Sequence, residues 1–331
     1  MKPKLFMTRK IPERGFNKIA EQFEVDLWPE EAPPPKDVII ERVKDVDALV
    51  SLLTDPIDAE VMDAAPRLKI ISQYAVGYDN IDVKAATERG IYVTNTPGVL
   101  TETVADFTMA LMMAVSRRVV EADKYIRSGK WKVGWHPLYF LGADLYGATL
   151  GIVGLGRIGS AVARRAKGFN MRILYYDVVR REDLEKELGL KYVDLDTLLK
   201  ESDFVTLHVP LLPETKDMIG ERELKLMKPT AYLINTSRGK VVDEKALIRA
   251  LKEGWIAGAA LDVFYQEPTP PDNPLLELDN VVVTPHIASA SLETRSRMAE
   301  IVAENLIAFK EGKKPPTLVN PEVMNVRPPG F

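Results

Sequence analysis

Short apolar runs alternate with segments of helical periodicity along most of the chain. Near-continuous apolar strands separated by helices are typical of parallel sheets that are covered on both faces. The pattern therefore predicts an α/β protein with two doubly wound parallel-sheet lobes. The predicted strands are Lys4–Thr8, Val25–Trp28, Ala48–Leu53, Leu68–Tyr74 and Ile91–Thr94 in the first lobe, and Leu150–Gly154, Arg172–Asp177, Asp203–Val209, Ala231–Thr236, Ala257–Val263 and Val281–Thr284 in the second.

Two longer helical segments stand out from this alternation. After the turn signal at Thr96–Gly98, helical spacing runs from Thr101 to about Ser128. A single helix of that length would measure roughly 40 Å, enough to bridge two lobes. A second amphipathic segment, Leu292–Lys310, follows the last predicted strand, and we expect it to return to the first lobe.

Composition narrows the class of protein. The 331 residues suit about two domains, and the formal net charge of -4 without a basic block argues against nucleic acid or an anionic membrane as the main partner. The absence of cysteine excludes disulfides, thiolate nucleophiles and cysteine-based metal sites, and the three histidines lack ligand spacing. The sequence shows neither a signal-peptide pattern nor a transmembrane pattern, so we expect a soluble cytoplasmic protein. From the cysteine and histidine content we expect no metal site.

A glycine-rich turn follows the first strand of the second lobe. Gly154, Gly156 and Gly159 form Gly-x-Gly-x-x-Gly between that strand and a helix. In this context the glycines allow a tight turn, a close approach of the backbone to a pyrophosphate, and close packing of the helix on the strand. A tight turn without a ligand is the alternative. Asp177 lies 18 residues beyond Gly159, where a carboxylate binds an adenosine ribose, so the sequence predicts dinucleotide binding.

The residues around Asp177 bear on the choice of cofactor. A carboxylate repels a 2′-phosphate, so Asp177 favours NAD(H) over NADP(H). Arg180 and Arg181 follow closely and could bind a 2′-phosphate, stack on adenine, or be solvated. Use of NADP(H) therefore stays open.

Three polar residues follow successive strands of the second lobe. They are Arg238, Glu267 and His286, and each alone could be a surface charge or a structural group. Because parallel strands end at one edge of the sheet, all three can converge there. Reduction of a ketone needs an anion clamp, a proton donor and a group that keeps the donor protonated, which these side chains can supply.

Several motifs occur in one characteristic order along the chain. They are Ala75–Asp82, Gly154–Gly159, Asn235–Gly239, Ala260–Phe264 with Glu267–Pro268, and Thr284–His286. With these motifs the chain resembles the D-2-hydroxyacid dehydrogenases, and within them the glyoxylate/hydroxypyruvate reductases, particularly those of archaeal type. The resemblance implies that residues 1–97 plus 286–331 form a flavodoxin-like substrate domain, into which a Rossmann dinucleotide-binding domain, residues 98–285, is inserted.

The resemblance also implies catalytic roles. Arg238 would hold the carboxylate and carbonyl of a small 2-oxo acid, and His286 would protonate the carbonyl oxygen as hydride moves from NAD(P)H. Glu267 would pair with His286 and stabilise its protonated form. The reaction would be the reduction of glyoxylate to glycolate and, second, of hydroxypyruvate to D-glycerate.

Further contacts are implied by similarity. The backbone N–H groups of Val76 and Gly77 would complete the carboxylate site, Leu53 would line the side-chain pocket, and Trp135 would either reach the partner subunit's site or anchor its own loop or the dimer. Ala288–Ser289 replaces the Gly-Gly that often follows the histidine. The cofactor residues would be Thr103, Gly154, Leu155, Gly156, Arg157, Ile158, Gly159, Asp177, Val178, Val179, Val209, Pro210, Thr236, Ser237, Arg238, Asp262, His286, Ala288 and Ser289.

Two other functions compete with this interpretation. The first is a short-form D-3-phosphoglycerate dehydrogenase, and the second is a non-catalytic NAD(H)-sensing interaction protein on the same fold. A complete set of Arg238, Glu267 and His286 argues against the second. We also expect a homodimer, with the helix from Thr101 and the apolar arm Trp131–Leu145 as its surface.

Overall fold

The computed structural model describes residues 2–331, which divide into two compact units. The first unit contains the residues up to Leu100 together with Ala290–Phe331, and the second unit is Thr101–Ser289. Each unit is built on its own parallel sheet. The prediction of two parallel-sheet α/β lobes is confirmed.

The first unit has a five-stranded parallel sheet in the order β2-β1-β3-β4-β5. Nearly all residues of its three central strands are buried, because helices cover both faces of the sheet. The strands are β1 Lys4–Met7, β2 Glu24–Leu27, β3 Ala48–Ser51, β4 Ile70–Gln73 and β5 Tyr92–Thr94. The helices within the first hundred residues are α1 Glu13–Gln22, α2 Lys36–Arg42, α3 Ala59–Asp63 and α4 Val83–Glu88.

The second unit has a seven-stranded parallel sheet in the order β12-β11-β10-β9-β6-β7-β8. One strand more than predicted is present, because β8 is an exposed edge pair too short and polar to form an apolar run. The strands are β6 Thr149–Val153, β7 Arg172–Tyr176, β8 Lys191–Tyr192, β9 Phe204–Leu207, β10 Tyr232–Asn235, β11 Gly258–Leu261 and β12 Val281–Val283. The helices are α5 Thr101–Ser116, α6 Val119–Arg127, α7 Arg157–Lys167, α8 Glu182–Leu188, α9 Leu195–Glu201, α10 Glu221–Leu226 and α11 Glu244–Lys252.

The single long helix expected from Thr101 to Ser128 is wrong. The helix ends at Ser116, and Arg118 adopts a left-handed conformation with φ of 52° before α6 begins. The carbonyl of Ser116 accepts a hydrogen bond from the backbone N–H of Ala143 at 2.9 Å instead of continuing the helical ladder. Gly142 allows this crossing, since a Cβ there would lie 2.1 Å from the Ser116 oxygen.

The last helix, α12 Leu292–Lys310, has the bounds that its spacing predicts and belongs to the first unit. It packs on α1 with almost no space between the backbones, because a Cβ at Gly15 would lie 2.1 Å from the carbonyl oxygen of Ala299. Arg14 pairs with Glu293 at 3.0 Å beside this contact. The two ends of the chain thus contribute adjacent helices to one unit.

The unit boundaries fall a few residues later than the predicted domain boundaries after residues 97 and 285. The segment 286–289 groups with the second unit because its backbone is tied to Asp262. The N–H of His286 donates to the carbonyl of Asp262 at 2.9 Å, and the N–H of Ala288 donates to its carboxylate at 2.8 Å. Within residues 2–331, no helix is long and apolar enough to cross a membrane.

Candidate active site

The strand order of the second unit fixes where its functional groups meet. From β6 the chain continues outward through β7 and β8, and β9 then lies on the other side of β6. The loop after β6 therefore lies at the topological switch point, where open parallel sheets bind ligands beyond the carboxyl ends of their strands. The segments after β10, β11 and β12 end at the same edge.

The three glycines of the motif after β6, two in the loop and Gly159 in α7, are needed for different physical reasons. Gly154 has φ of +94°, and a Cβ there would lie 2.9 Å from the carbonyl carbon of His208. At Gly159 a Cβ would lie 2.1 Å from the oxygen of Gly154, so helix and loop approach closely. At Gly156 a Cβ would meet nothing within 4 Å, which leaves this side of the loop open to a ligand.

Asp177 joins the glycine loop to the segment after β7. Its Oδ2 accepts a hydrogen bond from the backbone N–H of Leu155 at 2.6 Å, and its Oδ1 accepts one from Val179 at 3.1 Å. The carboxylate is thereby held at the carboxyl end of β7, where a Rossmann-type fold binds an adenosine ribose.

These residues fit a dinucleotide. The open face at Gly156 leads directly into α7, whose first-turn N–H groups have no partner within the helix and suit an anionic phosphate. Arg157 is exposed in that first turn. The loop, the helix start and Asp177 together form the acceptor and donor set that a pyrophosphate and a ribose require.

A histidine and a glutamate from different loops form an ion pair at this edge. His286 Nδ1 lies 2.7 Å from Glu267 Oε2, with about a third of each side chain exposed. The other glutamate oxygen, Oε1, accepts a hydrogen bond from the backbone N–H of Phe264 at 3.0 Å. Both oxygens are engaged, so the carboxylate has a fixed orientation toward the imidazole.

Arg238 lies in the turn that follows β10, and the side-chain amide of Asn235 stabilises this turn. Asn235 accepts hydrogen bonds from the backbone N–H and hydroxyl of Ser237 and donates one to the carbonyl of Arg238 at 2.9 Å. The next residue, Gly239, lies so close to the segment after β11 that a Cβ would be 1.8 Å from the Phe264 oxygen. This contact joins the loop of Arg238 to the loop of Glu267.

The charges of these three residues act on one another. Burial alone would raise the pKa of Glu267, but the hydrogen bond and charge of His286, the Phe264 N–H and the charge of Arg238 together lower it below its usual value. Glu267 is therefore an anion at neutral pH. Of the three predicted catalytic residues, the structure pairs Glu267 with His286, and the charge of Arg238 acts on the same carboxylate.

Asp262 fixes the backbone segment that carries His286. It is completely buried, and its Oδ1 accepts hydrogen bonds from the Thr284 hydroxyl at 2.6 Å and the Ile287 N–H at 2.8 Å. Its Oδ2 accepts the Ala288 N–H. His286 itself has a left-handed φ of 54°, and these bonds enclose it on both sides. Burial raises the pKa of Asp262 above its usual value, although the hydrogen bonds oppose that shift.

The other cofactor residues named from the sequence all lie in the second unit. Thr236 is buried and shares a 3.0 Å hydrogen bond with Thr108 of α5. Val178 is 91% exposed beyond Asp177. The remaining residues lie in the segments that the motifs indicate: Thr103 in the first turn of α5, Ile158 in the first turn of α7, Val179 after Asp177, Val209 and Pro210 after β9, Ser237 after β10, and Ala288 and Ser289 after His286.

The predicted substrate contacts Leu53, Val76 and Gly77 lie in the first unit, in the segments after β3 and β4. A partly buried amide network fixes these segments against each other. Gln73 donates to Asn80 Oδ1 at 2.7 Å, and Asn80 donates to the carbonyls of Leu52 at 3.0 Å and Asp55 at 2.8 Å. No role was predicted for these amides, although Asn80 lies in the Ala75–Asp82 motif, because their contacts with the segment after β3 join residues far apart in the chain.

Trp135 stands apart from these groups. Its side chain is 87% exposed in the segment between α6 and β6. Next to it, His136 stacks on Tyr139 with ring centroids 4.2 Å apart. Among residues 2–331, no group of three histidine, aspartate or glutamate side chains has an arrangement that could hold a metal ion.

One protein-family model and several known proteins match this chain. The model of the D-isomer specific 2-hydroxyacid dehydrogenase NAD binding domain matches residues 109–288. A glyoxylate reductase of Korarchaeum cryptofilum is 75% identical over 331 residues, all of both chains. A solved protein of Thermus thermophilus is 48% identical with a TM-score of 0.90, over 96% of this chain and 99% of that one. The NADPH-dependent glyoxylate/hydroxypyruvate reductase of Sinorhizobium meliloti, in complex with NADP and malonate, is 37% identical with a TM-score of 0.87 over 98% of both chains.

Proposed function

Because the chain belongs to the D-isomer specific 2-hydroxyacid dehydrogenase family, we propose that it reduces glyoxylate to glycolate and, second, hydroxypyruvate to D-glycerate. It is an NAD(P)-dependent oxidoreductase, and the family expected from its motifs is confirmed. The observation that carries the proposal is the 2.7 Å pair of His286 and Glu267 beside the charge of Arg238. That set supplies a proton donor, its anionic partner and an anion clamp.

Each side chain has one task in this scheme. The dihydronicotinamide, when bound, supplies hydride to the carbonyl carbon. Arg238 binds the carboxylate of the 2-oxo acid through its planar fork, which also polarises the carbonyl. His286 delivers a proton to the carbonyl oxygen from Nε2, while Nδ1 stays on Glu267. The backbone at Val76 and Gly77 would hold the substrate carboxylate, and Leu53 would line the space for its side chain.

The cofactor is held by the second unit in this proposal. The glycine loop would take the pyrophosphate and Asp177 the adenosine ribose, with NADH preferred over NADPH because a carboxylate repels a 2′-phosphate. The relative from Sinorhizobium meliloti was solved with NADP, so both cofactors belong in the assay.

An exposed apolar surface favours a homodimer. On α6 and the following segment, exposed side chains lie close together in the sequence, and such patches mark protein interfaces. Trp135 would anchor this interface or reach the partner's site, and sedimentation of the wild type and Trp135→Ala would measure its contribution. The exposed residues are Val119, Ile126, Trp131, Val133, Trp135, Leu138, Leu141 and Tyr146.

A steady-state assay tests the reaction. The purified full chain is given glyoxylate, hydroxypyruvate, pyruvate or phosphohydroxypyruvate with NADH or NADPH, and oxidation of the nicotinamide is followed by absorbance. Glyoxylate should have the highest kcat/KM, and Arg238→Ala should remove nearly all turnover while the protein stays folded. A preference for phosphohydroxypyruvate would instead support a phosphoglycerate dehydrogenase. Tight NADH binding without reduction of any 2-oxo acid would support a nucleotide-sensing protein.

A further inference from the structure

Both arginines that follow Asp177 are paired with acidic residues of α8. Arg180 forms two hydrogen bonds to Glu185, from Nε to Oε1 and from Nη2 to Oε2, each 2.9 Å long. Arg181 pairs with Asp183 at 2.7 Å and 3.0 Å. The cations nearest in sequence to the ribose-binding carboxylate are thus already neutralised by the protein.

Glu185 is the better anchored of the two acids. Its side chain is only 17% exposed, whereas that of Asp183 is 62% exposed. Besides Arg180 it accepts a 2.7 Å hydrogen bond from the hydroxyl of Tyr175, a completely buried residue of β7. The hydrogen bonds from Arg180 and then Tyr175 lower the pKa of Glu185 to about 2, so the acid is ionised at neutral pH.

Tyr175 extends this anchoring to the backbone of the loop. Its hydroxyl accepts a 2.8 Å hydrogen bond from the N–H of Arg181 while it donates to Glu185. Arg180 also lies over the ring of Tyr192, 5.7 Å from its centroid. The guanidinium of Arg180 is therefore oriented by Glu185 of α8 and Tyr192 of β8, although 55% of its side chain is exposed, and Tyr175 of β7 holds Glu185 in place.

We propose that Glu185 is a specificity-determining residue, which holds Arg180 on α8 and withholds it from the 2′-phosphate of NADP(H). The inference rests on the proposed function, in which Asp177 receives the adenosine ribose. A 2′-phosphate bound there would face the carboxylate of Asp177 and the exposed apolar Val178, and it would gain the guanidinium of Arg180 only by breaking the bidentate pair with Glu185. Preference for NADH then has two sources, a repelling carboxylate and a sequestered cation.

Glu185→Gln tests this proposal. Glutamine has the same shape and keeps an oxygen to accept the Tyr175 hydroxyl, but it removes the charge that holds Arg180. The control is Glu187→Gln, which removes the same charge from the same helix at a residue paired with Arg164. Binding is measured by calorimetry without any 2-oxo acid, with 2′,5′-ADP and 5′-ADP as probes, and the kcat/KM ratio of NADPH to NADH is measured beside it.

We expect Glu185→Gln to raise the affinity for 2′,5′-ADP relative to 5′-ADP by about tenfold, the size of one charge-assisted pair with phosphate, and to shift the kcat/KM ratio in the same direction. Glu187→Gln should leave both ratios unchanged, and adding Arg180→Gln to Glu185→Gln should remove the gain. An unchanged ratio in Glu185→Gln, or an equal gain in Glu187→Gln, would overturn the inference alone. Failure of the wild type to bind either probe or NADH would overturn it together with the proposed function.

Discussion

His286 Nδ1 and Glu267 Oε2 lie 2.7 Å apart although they follow different strands of the sheet. The glutamate is fixed from its other oxygen by the N–H of Phe264, so the pair is held by backbone and not by two mobile side chains. With Nδ1 engaged, Nε2 is the nitrogen through which the imidazole would exchange a proton with a substrate. In this arrangement Nε2 would deliver the proton to the substrate, and Nδ1 binds the carboxylate that stabilises the protonated imidazole.

Replacing the carboxylate of Glu267 tests these roles of the two ring nitrogens. Glu267→Gln should lower kcat for glyoxylate by about 10²-fold, because the amide cannot stabilise the protonated imidazole as an anion does. The dissociation constant of NADH and the thermal midpoint should change little, since the shape of the side chain is kept. Glu277→Gln, an exposed site, is the matched control. Equal kcat values for Glu267→Gln and the wild type would contradict the assigned role.

Because Asp262 fixes the backbone around His286, we expect its substitution to lower both stability and turnover. In Asp262→Asn, one of the oxygens that accept N–H groups from residues 287 and 288 becomes a donor, which leaves a buried N–H without its acceptor. Denaturant unfolding should show a loss of about 1–3 kcal/mol, and kcat should fall because the loop of His286 is no longer held. The exposed Asp279→Asn should change neither quantity; a variant at 262 with wild-type stability would refute the account.

Two glycine substitutions distinguish a glycine that leaves space for a ligand from a glycine that allows close backbone packing. Gly156→Ala adds a methyl group to open space, so the protein should unfold at the wild-type denaturant concentration while NADH affinity falls by about tenfold. Gly239→Ala drives a methyl group into the Phe264 backbone and should destabilise the protein by about 1–3 kcal/mol. Gly134→Ala, where nothing lies within 4 Å, controls for both. Unaltered NADH binding in Gly156→Ala would argue against a phosphate site there.

His208 predicts a dependence of stability on pH. Burial lowers its pKa to about 3, and its Nε2 shares a 3.0 Å hydrogen bond with the Thr206 hydroxyl. As pH falls from 6.5 toward 3 the unfolded chain takes up a proton at this residue that the folded chain does not, so the free energy of unfolding decreases across that window. His208→Gln should flatten the decrease between pH 6.5 and 5, measured by denaturant unfolding at each pH. A slope as steep as that of the wild type would show that another group titrates there.

The sequence predicted elements best where one segment determines its own structure. Leu292–Lys310 has the predicted bounds because its helical spacing and its capping side chain, Ser291, are both local signals. The proximity of Glu267 and His286 was predicted from strand ends in a parallel sheet, which is a rule of topology. These parts of the fold and site needed no knowledge of distant contacts.

The features that were missed depend on contacts far apart in the chain. Nothing near Ser116 signals that Ala143 will take its carbonyl and end the helix. Likewise Gly239 is explained only by the Phe264 backbone against it. The pair of Arg180 and Glu185 requires α8, whose charged sequence has only one buried residue to reveal an amphipathic pattern. Polar residues that act through tertiary contacts leave little periodic signal.

The contact of Gly15 with Ala299 also constrains the order in which a ribosome-bound chain can fold. The second unit is one uninterrupted stretch and has all its strands and helices once Ser289 has been synthesised. The first unit must wait for α12, which packs on α1 and follows the whole of the second unit in the chain. Until α12 is present, the faces of α1 and β4 that it covers stay exposed, so the core of the first unit is completed only after the second unit has been made.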